Sequence, residues 1–403
     1  MDVTVAGIGA AVVAELRRAG YMESTIGQYE KSIKALGRFV EQRGSVYYTP
    51  SLGAAFASMT VSPRTGRFSA QRRFDYGRLV GVFDRYVSSG RVDLSCRKRG
   101  GGGPRPRSDE FAWLTVAWEA EMDARGLAPA TREAYGRVAR GYLTFLESRG
   151  IERLDDADGA SILGFLQSLS PRWATSSLFW VVSNFRPFLR FTGRVDLLEA
   201  AGMARVRRSH KILPVLGDDD QRLVVAACAS SGAVSSRDAA ITLLALSTGL
   251  RACDIIALRL VDIDWRARTV ALVQQKTRKP LTLPLSDLLV ERLAGYVLDE
   301  RPDSADDHVF LRVKAPHTRL ADHASVHRIT ASVFRKAGVV GVIGGPRFLR
   351  HNAASRLLRS AVPLPTIAAV LGHTRPESTD VYLSVDRYRL LDCVLALPQA
   401  ARP

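Results

Sequence analysis

Arg251, Lys276, Arg350, His373 and Tyr382 stand at intervals in otherwise ordinary sequence, in the strings STGLRACDIIALRL, QQKTRKPLTLPL, RFLRH and LGHTRPESTDVYL. They supply three cationic groups, an imidazole and a phenol, with no cluster of metal-ligand spacing beside them. Breaking a phosphodiester needs a nucleophile, stabilisation of charge on the pentavalent phosphorus, and a proton for the leaving oxygen. Arginine suits the second task, because its planar fork donates two hydrogen bonds to phosphate oxygens and keeps its charge. Preorganised donors of this kind usually provide the largest share of catalysis. A tyrosine, with an ordinary pKa of about 10, needs a base or a positive field to become a nucleophile. Its product, a phosphotyrosine, conserves the energy of the phosphodiester, so resealing requires no ATP. This chemistry is complete without a metal or a cofactor.

Each residue taken singly also has a purely structural reading. Arg251 could neutralise the C-terminus of the helix before it, and Lys276 could be an ordinary hairpin-turn lysine. Arg350 could pair with an acid such as Asp254. His373 could be a loop residue and Tyr382 a core aromatic. The order, the local strings and the spacing argue for the joint chemical reading.

Those residues need a scaffold, and the pattern around them predicts one. DAAITLLALSTGL reads as an apolar helix ending near Gly249, just before Arg251. TVALVQQ and PLTLPLS read as two strands joined by the basic turn KTRK, which carries Lys276. The remainder returns to helix, and DRYRLLDCVLALP predicts a last amphipathic helix with more apolar surface than a terminal tail needs.

Upstream, the first half contains an internal repeat. LRRAGYMESTIGQYEKSIKALGRFVEQRG matches MDARGLAPATREAYGRVARGYLTFLESRG without a gap. Gly20 pairs with Gly126, Thr25 with Thr131, Tyr29 with Tyr135 and Phe39 with Phe145, all at one offset (126 − 20 = 106). Further on, FDRYVSSGRVDL around Phe83 echoes FLRFTGRVDL around Phe188. Each copy predicts helices, with Thr25 and Thr131 as N-caps and Tyr29, Ile33, Leu36 and Phe39 as a core stripe. The basic residues Lys31, Lys34 and Arg38, and Arg132, Arg137 and Arg140, read equally well as solvated surface or as phosphate contacts.

Two linkers, CRKRGGGGPRPRS (96–108) and RVRRSHKILPVLG (205–217), are dense in positive charge. The glycines and prolines of the first break helix and strand alike. The second reads best as a strap following phosphates. The domain organisation expected is therefore a helical module at 1–95, a basic linker at 96–108, a second helical module at 109–205, a linker at 206–213 and a mixed α/β domain at 214–403. The formal charge of +17 points to a polyanionic partner, and the 46% hydrophobic content is ample for packed cores. No apolar run approaches a membrane span, and the N-terminus lacks the basic start and cleavage site of a signal peptide, so a cytoplasmic protein is expected. Cys96, Cys228, Cys253 and Cys393 form no C-x-x-C pair and therefore neither a zinc site nor a disulfide framework. Cys228, Cys253 and Cys393, set among apolar residues, read as small core fillers.

Over roughly residues 214–385 the chain resembles the tyrosine recombinase, or phage integrase, family. The resemblance rests on TGLRACD with Arg251 and Asp254, on Lys276 before LTLPL, on RFLRH with Arg350, and on LGH with His373 nine residues ahead of Tyr382. It implies a mainly α, multidomain protein: duplicated helical DNA-binding modules of the core-binding type, then a mixed α/β catalytic domain with a small antiparallel sheet. It implies that Arg251 and Arg350 hold the scissile phosphate, that Lys276 assists the leaving oxygen, and that Tyr382 forms a 3′-phosphotyrosyl link, with His373 assisting. It implies double-stranded DNA as partner, a homotetramer formed through the C-terminal helix, and companion recombinases as further candidates. One position departs from the family pattern. Arg347 stands where a histidine belongs, one helical turn from Arg350; an arginine can bind phosphate there but is a poor proton acceptor. His351 is out of phase by about 100°. The reading is a site-specific recombinase or transposon integrase; a type IB topoisomerase-like enzyme and a non-catalytic DNA-binding accessory stay open as alternatives.

Overall fold

The computed structural model describes residues 3–94, 105–171, 173–203, 215–230, 232–342 and 344–372. His373, Tyr382, Cys96, Cys393, most of both linkers and the expected terminal helix lie outside the described residues. The chain divides into two compact units, residues 1–95 together with 212–403, and residues 96–211.

The N-terminal segment folds as α1 (Val5–Arg18), α2 (Glu23–Glu41), α3 (Pro50–Ala57) and α4 (Ala70–Ser89). The unit at 96–211 contains α5 (Asp109–Ala124), α6 (Pro129–Glu147), α7 (Gly159–Leu169), α8 (Thr175–Phe191) and α9 (Val195–Met203). The repeat is structural. Both ends of α2 and α6 are related by the offset seen in the sequence. Val5, Ile8, Val12 and Leu16 line the first core, and Phe111, Leu114, Trp118 and Met122 occupy the equivalent places in the second. This spacing of three and four puts each set on one helix face. The turn after each first helix closes alike, with Tyr21 N–H donating to Leu16 O (3.0 Å) and Leu127 N–H to Met122 O (3.2 Å). Arg43 lies over the Phe39 ring and Arg149 over the Phe145 ring, so even the cation–π pair is duplicated.

Thr25 and Thr131 are not N-caps. The helices start earlier, with Met22 and Ala128 in the cap positions and no side-chain cap bond. Pro129, whose fixed φ suits the first helical position, and Glu23, which complements the positive end of the helix, begin their helices ahead of the threonines.

The C-terminal segment folds as α10 (Asp218–Ala229), α11 (Ser236–Thr248), α12 (Ala252–Ala257), β1 (Ile263–Asp264), β2 (Thr269–Val273), β3 (Pro280–Pro284), α13 (Asp287–Gly295), α14 (His323–Lys336), α15 (Pro346–Arg359) and α16 (Leu364–Leu371). Helix α11 is apolar nearly all round and is accordingly buried, packed by α10, α13, α14 and α15. The antiparallel sheet has the order β1-β2-β3, with Val270 opposite Leu283 and Leu272 opposite Leu281. Strand β1 has no counterpart in the sequence reading. The turn is also longer than KTRK: Gln274 N–H donates to Lys279 O (2.9 Å) and Arg278 N–H to Gln274 O (2.8 Å), drawing Gln274 and Gln275 out of the strand. Cys228 is a core filler as expected, whereas Cys253, on the first turn of α12, is exposed. Among the described residues no helix is long and apolar enough to cross a membrane.

Candidate active site

The string TGLR places Arg251 through a backbone constraint. Helix α11 ends at Gly249, whose φ of +63° lies in the left-handed region that glycine enters without a Cβ penalty. A Cβ there would also meet Ala353 Cβ and Leu371 Cδ2 at 3.0 Å, so α15 and α16 close directly onto this residue. Leu250 is buried behind it, and Arg251 adopts an extended conformation at the start of α12. The Arg251 guanidinium donates to Gly372 O (Nη2, 3.0 Å) and to Gln274 Oε1 (Nη1, 3.3 Å). Buried Asp254, with its Oδ1 accepting from Gln275 N–H (2.7 Å), places Oδ2 4.0 Å from Arg251.

Arg350 reaches the same place from α15. It is 8% exposed, donating from Nη1 to Gly249 O (3.0 Å) and from Nη2 to Leu371 O. The two guanidiniums thus meet at consecutive carbonyls, Leu371 and Gly372, at the end of α16. Such terminal carbonyls lack helical partners and form the negative end of the helix dipole, so cations settle there favourably. Arg251 does serve a helix C-terminus, but that of α16 rather than of α11 before it. The side chain of Arg251 remains 18% exposed, so its charge is accessible to an anion.

Lys276 is exposed in the turn between β2 and β3. Arg347 is exposed on α15, one turn ahead of Arg350. His351 is half-buried, and burial first, then Arg347 and Arg350, press its pKa down to about 4. It is therefore neutral near pH 7 and a weak base. The structure accordingly brings Arg251 and Arg350 together, with Lys276 in the neighbouring turn; His373 follows Gly372 directly in the chain, and it and Tyr382 lie outside the described residues.

One residue at this junction was missed from the sequence. Gln274, 1% exposed, accepts from Arg251 and from Thr277 Oγ1 (2.7 Å), and its side-chain amide lies against Gly372, where a Cβ would collide with Oε1. Strand alternation carried a signal for it. Val270 and Leu272 face inward along β2, and the same period of two puts polar Gln274 on the core side.

A possible metal-ligand set among the described residues lies elsewhere, at Asp306, Asp307 and His308, whose ligand atoms fall within 4.8 Å of one another. These carboxylates already hold the loop: Asp306 accepts from His308 and from Arg319 N–H, and Asp307 pairs with Arg259. Nothing in their surroundings points to an ion.

Residues 215–389 match the model of the phage integrase family. An integrase/recombinase of Sinorhizobium fredii is 30% identical over 309 residues, covering 74% of this chain and 72% of its own. The tyrosine recombinase XerC of Mycobacterium leprae is 30% identical over 279 residues, covering 66% of this chain and 91% of its own. Among solved structures, the XerH site-specific recombinase bound to its difH substrate shares the fold with a TM-score of 0.55 at 15% identity, over 89% of this chain and 93% of that one. A lambda integrase dimer bound to a core site shares it with a TM-score of 0.52 at 17% identity, over 68% of this chain and 95% of that one. With these relatives and this junction of arginines, the chain belongs to the tyrosine recombinase (phage integrase) family of DNA strand-breaking and rejoining enzymes.

Proposed function

We propose that the protein is a site-specific DNA recombinase that cuts and rejoins double-stranded DNA through a 3′-phosphotyrosine at Tyr382. The observation that carries the reading is the meeting of Arg251 and Arg350 at the Leu371 and Gly372 carbonyls. Carbonyls orient both forks, with the Asp254 carboxylate 4.0 Å from Arg251, and fixed donors of this kind suit a phosphate whose charge grows in the transition state. In this reaction the Tyr382 hydroxyl gives its proton to solvent as its oxygen attacks phosphorus, the bond to the 5′ oxygen breaks with its electron pair leaving on that oxygen, and Lys276 supplies a proton to that oxygen. His373 assists beside the phosphate. Arg347 contributes positive charge but takes no proton, and His351 stays neutral.

The helical segment at 109–205 would grip DNA together with the catalytic domain at 214–403, with the module at 1–95 as an additional arm- or core-binding element. Assembly as a tetramer on DNA through the terminal helix, with or without companion recombinases, completes the proposal. The substitution of arginine for histidine at position 347 favours one second reading, a DNA-binding partner that depends on another recombinase for cleavage.

The deciding experiment incubates the protein with a nicked suicide duplex carrying its element-end sequence and resolves covalent adducts on a denaturing gel. An adduct with the native protein and none with Tyr382→Phe is expected. Tight DNA binding with no adduct would establish the partner-dependent reading instead. Strand transfer between two duplexes separates recombination from topoisomerase-like relaxation.

A further inference from the structure

Lys276 sits on an exposed turn, yet a proton donor to a leaving group must be held in place. The turn is held at one point by Gln274. Its backbone N–H and C=O close the turn on Lys279 and Arg278, and its Oε1 accepts from Thr277, the residue after Lys276. The same oxygen accepts from Arg251, and the same amide packs on Gly372, whose carbonyl is the other partner of Arg251. Lys276, Arg251 and the chain entering His373 therefore share one buried side chain. Asp254 reinforces the arrangement by holding Gln275 N–H from the side of α12.

We infer that Gln274 is a positioning residue that registers the Lys276 turn against the Arg251 guanidinium, and so sets proton delivery to the leaving oxygen. The inference rests on the cleavage reaction proposed above. A carboxamide suits the post because its oxygen accepts two hydrogen bonds at once, one from a neutral hydroxyl and one from the guanidinium, while adding no charge that would cancel the arginine. A methionine of similar length fills the space but accepts neither bond well.

The test compares native protein, Gln274→Met and Thr277→Val on two suicide duplexes, one with the natural 5′ oxygen at the scissile position and one with sulfur there. A thiolate leaves without needing a proton, so the sulfur substrate bypasses the lysine and leaves phosphate binding by the arginines unchanged. With oxygen, Gln274→Met should form adduct about 10- to 100-fold more slowly, part of the 10²–10⁴ that a positioned proton donor contributes. Thr277→Val, which cuts the turn from Gln274 but leaves the Arg251 bond, should show a smaller loss. With sulfur, both variants should return to within a few-fold of the native rate. DNA affinity and the thermal midpoint, measured alongside, should stay close to native. A native rate on the oxygen duplex, or an equal loss on both duplexes, would overturn the inference while leaving the cleavage reaction standing. Absence of adduct from native protein on both duplexes would remove the cleavage reading and this inference together.

Discussion

Arg140 and Arg350 are both buried arginines, 6% and 8% exposed, and their surroundings answer them in opposite ways. Arg140, on α6 of the middle unit, faces carboxylates, with Glu119 at 3.2 Å and Glu133 at 4.0 Å. Arg350 donates to the carbonyls of Gly249 and Leu371. A carboxylate partner cancels a guanidinium's charge and leaves a structural tie; a carbonyl partner fixes its orientation and leaves the charge available. The same contrast runs between the two copies of the repeat. On α6, Arg132 pairs with Asp123 and Arg137 with Glu133. On α2, Lys31, Lys34 and Arg38 are exposed and make no ion pair among the described residues. On the second helix of the module positive charge is thus paired in one copy and displayed to solvent in the other, while at the C-terminal junction carbonyls orient the arginines.

The strongest test of this contrast exchanges each buried arginine. Arg350→Lys keeps a charge but loses the fork, and adduct formation on the suicide duplex should fall by about 10²–10³-fold with the protein still folded. Arg140→Met should leave the adduct rate per folded molecule unchanged and cost about 1–2 kcal/mol in chemical denaturation, since the two glutamates it leaves can turn to solvent. A folded Arg140→Met protein that fails to cleave would break the distinction.

Next in size is the comparison between copies. Replacing Lys31, Lys34 and Arg38 together by glutamate should weaken DNA binding and flatten its salt dependence, by a slope of about 2–3 if each cation meets a phosphate. Neutralising Arg132 and Arg137 should change that slope by less than about one. Fluorescence anisotropy across a salt series reads both, and equal effects would show that pairing on α6 does not keep its arginines from DNA.

The smallest effect expected is a pH dependence of stability from His351, whose charged form is disfavoured by burial and by the neighbouring Arg347 and Arg350. Its folded pKa of about 4 lies below the ordinary 6.5. The unfolded chain therefore takes up the proton first as pH falls, and stability is lost progressively between pH 6.5 and 4, with no contribution above that window. Between pH 7.5 and 4.5 the thermal midpoint of native protein should fall further than that of His351→Gln. A constant difference across that range would remove His351 as a source of acid sensitivity.

Local chemistry decided what was legible beforehand. Gly249 shows in the sequence because a helix must end there, the repeat because two stretches match residue for residue, and the hairpin because alternation is a short-range property. The N-cap assignments at Thr25 and Thr131 went astray for a local reason too: proline and glutamate upstream were the stronger start signals. Cys253 was misjudged because apolar neighbours in sequence say little about which side of a one-turn helix faces the core.

By itself the sequence determined the residue types, their order and the positions where only glycine suits, and these carried the family and the kind of chemistry. Tertiary structure alone decided which groups hold the arginines. Arg350 finds Gly249 across 101 residues, and Arg251 finds Gly372 across 121. No periodicity encodes a hydrogen bond over such a separation; it exists because α15 packs against both α11 and α16 and brings their two helix ends to the same point. Gln274 became visible for the same reason, as a buried polar side chain just past the end of β2 whose partners Arg251 and Gly372 come from elsewhere in the chain.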